Sequence, residues 1–138
     1  MTQENKNTSN LRFLNPPTLT KPPGYTQVVE MTGPGRTIWI AGTIGTNRDG
    51  KLGEDFRAQA VQTFENLKAA LESVGASFEQ VVKVTNYLVD FGHLPVFYEV
   101  RDRYVNTSAP PASTAVQVSG LPRGALLEVE AVAVLPLK

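Results

Sequence analysis

Cysteine is absent from this chain, and histidine occurs once, as His93. The first absence removes disulfides, thiolate nucleophiles and thiolate metal sites together. With one imidazole left, neither a structural nor a catalytic zinc site is expected. An excess of either charge is missing too, since thirteen basic residues balance thirteen acidic ones. No overall field then favours nucleic acid or an anionic membrane. Apolar runs are no longer than a strand, which leaves no transmembrane span. The first twenty residues, rich in Asn, Thr and Pro, lack the apolar centre of a signal peptide. The expectation is a cytoplasmic protein with neither membrane nor nucleic acid as partner.

What is present suits one soluble domain. A chain of 138 residues, 41% apolar and 19% charged, can bury a real core but not two comfortable ones. Residues 1–20 hold too few large apolar groups to offset their ordering entropy and read as a flexible tail. Residues 21–138 read as the domain.

Within it, Tyr25–Met31 is a β-branched run ended by Gly33-Pro34-Gly35, and Arg36–Ala41 is a second strand. Phe56, Ala60, Phe64, Leu67, Leu71 and Val74 recur at helical spacing, with Asp55 placed to cap the helix and Gly75 to end it. Val81–Val89 is a third strand. A second helix is predicted from about Leu94 to Val105, with Leu94, Phe97, Val100 and Tyr104 inward and Pro95 tolerated in its first turn. Two strands close the chain around Leu121-Pro-Arg-Gly124. The order ββαβαββ implies an α+β domain, two helices on one face of a sheet.

The other face is not cleanly polar. Thr37, Trp39 and Ala41 oppose Ile38 and Ile40 on one strand; Glu128, Glu130 and Val132 oppose Leu127, Val129 and Ala131 on the last. Two helices cover one face only, so the second is expected to be buried against other subunits.

Several segments, in register, resemble the YjgF/Rid family from about residue 23 to residue 134. They are Tyr25-Thr-Gln, Ile40-Ala-Gly-Thr-Ile, Gln59-Ala, Glu65-Asn-Leu-Lys, Val74-Gly-Ala, Val81-Val-Lys-Val-Thr, Leu121-Pro-Arg-Gly and Glu128-Val-Glu-Ala. The resemblance implies a chorismate-mutase-like fold, a homotrimer with a central barrel, and small-molecule clefts at subunit boundaries. It also implies hydrolysis of enamines and imines to a carbonyl compound and ammonia. No cofactor or metal is implied, because an imine carbon is already electrophilic.

By the same resemblance, Glu128 and Tyr25 are the catalytic candidates: Glu128 as base or water-positioning group, Tyr25 as donor and wall. Gly42 is the glycine at the cleft mouth, where a free backbone N–H can meet a ligand oxygen. Each has a plain alternative: an intersubunit ion pair for Glu128, a half-buried strand residue for Tyr25, a strand-end turn for Gly42. Glu130, on the same strand face as Glu128, is read as structural.

Three ligand-binding positions depart from the family. Ser113 stands where arginine follows Pro-Ala, Ala115 where cysteine is common, and Tyr98 where an asparagine lines the cleft. A serine hydroxyl offers one neutral hydrogen bond where arginine grips a carboxylate with two, a loss of roughly 2–5 kcal/mol of binding. Arg101, one turn after Tyr98, is the one candidate to restore a positive charge; a solvent-facing arginine is the commoner arrangement. His93 reads as exposed, and Trp39 as barrel or interface core. Three functions follow: a cofactor-independent deaminase with altered substrate preference, a non-catalytic metabolite-binding trimer, or, against the charge balance, a ribonuclease.

Overall fold

The computed structural model describes residues 10–137. Its strands are β1 (Leu11–Leu14), β2 (Val28–Met31), β3 (Gly35–Thr43), β4 (Val81–Leu88), β5 (Ala112–Gln117) and β6 (Leu127–Pro136). Its helices are α1 (Phe56–Glu72) and α2 (Leu94–Arg101). The main sheet runs β3-β6-β4-β5. β6 is antiparallel to both neighbours, while β5 lies parallel to β4 because α2 carries the chain back between them. The result is the expected α+β architecture, with two helices on a mixed sheet.

α1 begins where Asp55, in extended conformation, accepts the Ala58 N–H at 2.8 Å. It ends through Gly75, whose φ of +78° lets the Ala76 N–H turn back to the Leu71 carbonyl. The helical stripe faces the sheet: Phe64, Leu67 and Leu71 bury against Val129, Ala131 and Ala133 of β6, with Phe97 and Val100 of α2 beside them. α2 is shorter than the sequence predicts, because the chain leaves the helix in turns after Arg101, yet Tyr104 still packs on the core.

Three further expectations change. Leu11–Leu14, inside the stretch read as a tail, is a strand; it pairs with β2 from Leu11↔Met31 to Leu14↔Val28, and Arg12 meets Glu30 at 3.1 Å. Residues 1–9 lie outside the described residues. β2 starts at Val28 instead of Tyr25, because residues 26–27 bond elsewhere: the Thr26 N–H to the Pro111 carbonyl, the Gln27 N–H to Asn15 Oδ1. His93 is half-buried, its ring stacked on Phe56 at 4.3 Å between centroids.

The sheet face away from the helices is open in the single chain. It carries Trp39, Lys83, Thr85, Tyr87, Glu128, Glu130 and Val132. Trp39 is 76% exposed. Among the described residues no helix is long and apolar enough to cross a membrane.

Candidate active site

Glu128 and Gly42 come together on the open face. β3 carries one extra residue against β6 between Ile40 and Thr43, a bulge that swings the Gly42 backbone toward the neighbouring strand. A Cβ added at Gly42 would lie 2.5 Å from Glu128 Oε2. Only glycine lets the carboxylate rest there, so the two residues form one structural unit. Among the described residues the Glu128 carboxylate accepts no hydrogen bond, which leaves it available to a ligand or a water.

Glu130 points to the same side but is engaged. It accepts the Tyr87 hydroxyl at 2.7 Å. That bond, with burial and the nearby charges of Glu130 and Glu128, pushes the Tyr87 phenol above its ordinary range. Tyr87 therefore stays protonated and holds Glu130 aside while Glu128 is free. Beside this pair lies a depression of about 390 Å³, lined among others by Trp39, Ala41, Lys83, Thr85 and Glu130. The Lys83 ammonium is tied to the Thr114 hydroxyl at 2.6 Å.

Tyr25, Tyr98, Ser113 and Ala115 are placed by other elements. Ser113 pairs with Val84, and Ala115 with Asn86, so both side chains lie on the helix side at the uncovered edge strand. The Ser113 Oγ accepts from Asn86 Nδ2 at 2.9 Å; the same amide also donates to the Thr114 carbonyl at 3.1 Å. Accepting there leaves the Ser113 hydroxyl its own proton to give and a second lone pair. Tyr25 is placed through the next residue, Thr26, which is bonded through its N–H and its hydroxyl to the carbonyls of Pro111 and Pro110, just before β5. Tyr98, 40% exposed, lies under the Arg101 guanidinium, 4.8 Å from ring centre to Cζ.

The expected site is thus not gathered within one chain. Glu128 pairs with Tyr87 near the end of β4, and Ser113 with Val84 near its start. The two side chains also leave opposite faces of the sheet. Within one chain the candidate residues thus fall into two separate sets, a carboxylate half and a hydroxyl half. Arg101 departs from expectation as well, being 5% exposed and paired with Asp102 instead of facing solvent. Reading the sequence missed Tyr87 and Asn86. The period-two alternation of Val81–Leu88 held the signal, since it sets Lys83, Thr85 and Tyr87 on one face and Val84, Asn86 and Leu88 on the other.

Comparison with known proteins places the chain in a family. Residues 18–135 match the model of a family described as Endoribonuclease L-PSP. A RutC family protein of Aquifex aeolicus is 40% identical over 129 residues, 90% of this chain and 99% of that protein. The chain belongs to the YjgF/Rid family. A Dermatophagoides farinae protein named 2-iminobutanoate/2-iminopropanoate deaminase is 32% identical over 127 residues, covering 90% of this chain and 96% of the relative. The crystal structure of RidA from an Antarctic Psychrobacter superimposes with a TM-score of 0.69 at 36% identity, over 83% of this chain and 90% of that one. Imine deamination is therefore an activity named within the YjgF/Rid family, and this chain carries the family fold across nearly its whole described length.

Proposed function

We propose that this protein is a cofactor-independent hydrolytic deaminase of imines or enamines, and that Ser113 shifts its preference away from carboxylate-bearing substrates. The observation that carries the reading is the Glu128–Gly42 unit: a carboxylate held against a glycine backbone and accepting no hydrogen bond among the described residues. In the reaction, Glu128 takes a proton from water as the oxygen adds to the imine carbon. Glu128 returns that proton to the nitrogen, the hydroxyl of the resulting carbinolamine supplies the second as the C–N bond breaks, and a carbonyl compound and ammonia leave. One water is consumed and Glu128 returns to its starting state.

The hydroxyl half supplies the recognition. Tyr25, Tyr98 and Ser113 offer neutral hydrogen bonds, and none offers a free cation. A substrate carboxylate would leave water for one serine hydroxyl, which does not repay its desolvation. A neutral imine meets no such penalty.

The same reading requires a second copy of the chain. A cleft holding both halves forms only where the open face of one subunit meets the β5 edge of another, and a homotrimer with three such clefts satisfies this. The exposed Trp39 on the open face supports it, because an indole this exposed is costly in a monomer and ordinary at an interface. Ribonuclease activity is less well supported, since Glu128 and Glu130 stand together at the carboxylate half and would repel a phosphodiester.

Ammonia release from imines generated in situ tests the proposal. Wild type is expected to act on neutral imines, Glu128→Ala to lose about 10²–10⁴-fold in turnover, and Ser113→Arg to gain activity on carboxylate-bearing imines. Unchanged turnover in Glu128→Ala would overturn the assignment. A silent wild type would leave the metabolite-binding trimer as the better account.

A further inference from the structure

We propose that Arg101 is the positioning residue for Tyr25, acting as a buried platform on which the chain before Tyr25 rests. This goes beyond the deaminase reading and depends on it only for what Tyr25 then does.

A residue at the last turn of a surface helix is expected in solvent, yet the Arg101 side chain is 6% exposed. Its charge is met on one edge, where Nε and Nη2 each lie 2.9 Å from Asp102 Oδ1. Its flat side covers the Tyr98 ring. Gly24 packs against the same nitrogen, Nη2, and the carbon behind it. A Cβ added there would stand 2.6 Å from Nη2 and 3.6 Å from Cζ, and Gly24 holds a φ of +102° that other residues rarely adopt. Two independent constraints, backbone angle and space, thus select glycine at the point where the chain crosses the guanidinium.

Tyr25 is the next residue, and its other neighbour is fixed as well. Thr26 bonds through its N–H and its hydroxyl to the carbonyls of Pro111 and Pro110. Tyr25 is therefore held between two anchors, Arg101 against residue 24 and the Pro110-Pro111 segment against residue 26. Its own hydroxyl has no partner among the described residues, so the anchors and not the phenol define its place.

A direct role in gripping an anion is the competing idea, and the geometry disfavours it. Asp102 takes one edge of the guanidinium, Gly24 crowds Nη2, and Tyr98 covers a face. With the side chain 6% exposed, little of the cation reaches solvent to meet a ligand. A planar guanidinium suits the platform role because it can stack, pair and touch backbone at once, which an ammonium cannot.

Hydrogen exchange of the purified full chain, read beside imine turnover, tests the proposal. In Arg101→Met the Thr26 amide is expected to exchange about tenfold faster or more, while amides of α1 and β6 keep their protection. Arg101→Lys should not rescue it, since charge alone does not rebuild the platform. Gly24→Ala reads the contact from the other side and should loosen the same amide, which keeps the test open if Arg101→Met fails to fold. In turnover, the losses in Arg101→Met and Tyr25→Phe should not add in the double variant, because both act through one phenol. An unchanged Thr26 amide in both Arg101→Met and Gly24→Ala would overturn the platform, whatever the activity. Additive losses would overturn its link to Tyr25. A wild type silent toward every imine, with the exchange effect present, would instead sink the deaminase reading and leave the platform standing.

Discussion

At Gly42 the demand on a single residue is steric before it is chemical. Adding one methyl group there would place carbon 2.5 Å from the Glu128 carboxylate, so the side chain must rotate or the bulge must open. Gly42→Ala is expected to retain the fold, since the position is exposed and the bulge lies at the edge strand. Its turnover should nevertheless fall about 100-fold, the scale of a catalytic group displaced by about an ångström. A melting temperature near wild type with this loss would fit; full activity would mean that the Glu128 position is not critical. This residue was readable in the sequence as a family glycine, but its reason was not. The bulge and the approach of Glu128 depend on register between β3 and β6, strands more than eighty residues apart in sequence. Arg101 was misjudged for a similar cause. Helical spacing gives the face a residue occupies, and it cannot tell that a distant Gly24 folds over that face.

Elements were more legible than contacts. The stripe from Phe56 to Val74, the Asp55 cap and the Gly75 stop are local features, and α1 forms where they predict it. β1 is hard to read because Leu11–Leu14 is only four residues long and pairs with β2, a partner that composition does not reveal. α2 was drawn too long because Tyr104 keeps helical phase with Val100 although the helix ends at Arg101. That tyrosine shapes a measurable property of the packed elements. Its ring stacks on Phe64 at 5.2 Å, and Glu65 of α1 acts on its hydroxyl. Burial first, then the bond to Glu65, pushes its pKa to about 12. Because the folded value lies above the unfolded one, the associated stability is complete below pH 10 and is lost as pH rises toward 12. Urea unfolding should therefore weaken more steeply over that range for wild type than for Tyr104→Phe. Parallel curves would show that Tyr104 does not carry the alkaline sensitivity.

For the whole molecule, the decisive fact is that one chain keeps Glu128 and Ser113 on opposite faces of the sheet. The sequence implies a sheet face that the helices leave uncovered, through Trp39, Ala41 and Val132, and in the single chain that face is open. It gave no sign that Ser113 and Glu128 leave opposite faces, because this depends on β5 running parallel to β4. If the open face is the contact between copies, Trp39→Glu should yield monomers by sedimentation, with native circular dichroism and no imine turnover. An intact oligomer in that variant would place the contact elsewhere.

Subunit complementation tests the composite site most directly. Glu128→Ala and Tyr25→Phe chains are each expected to release little ammonia from a neutral imine. Unfolded together and refolded as mixed oligomers, they should recover activity, because some clefts then pair an intact Glu128 from one chain with an intact Tyr25 from another. Mixed oligomers that form and remain as inactive as either parent would contradict a site shared between copies of this chain.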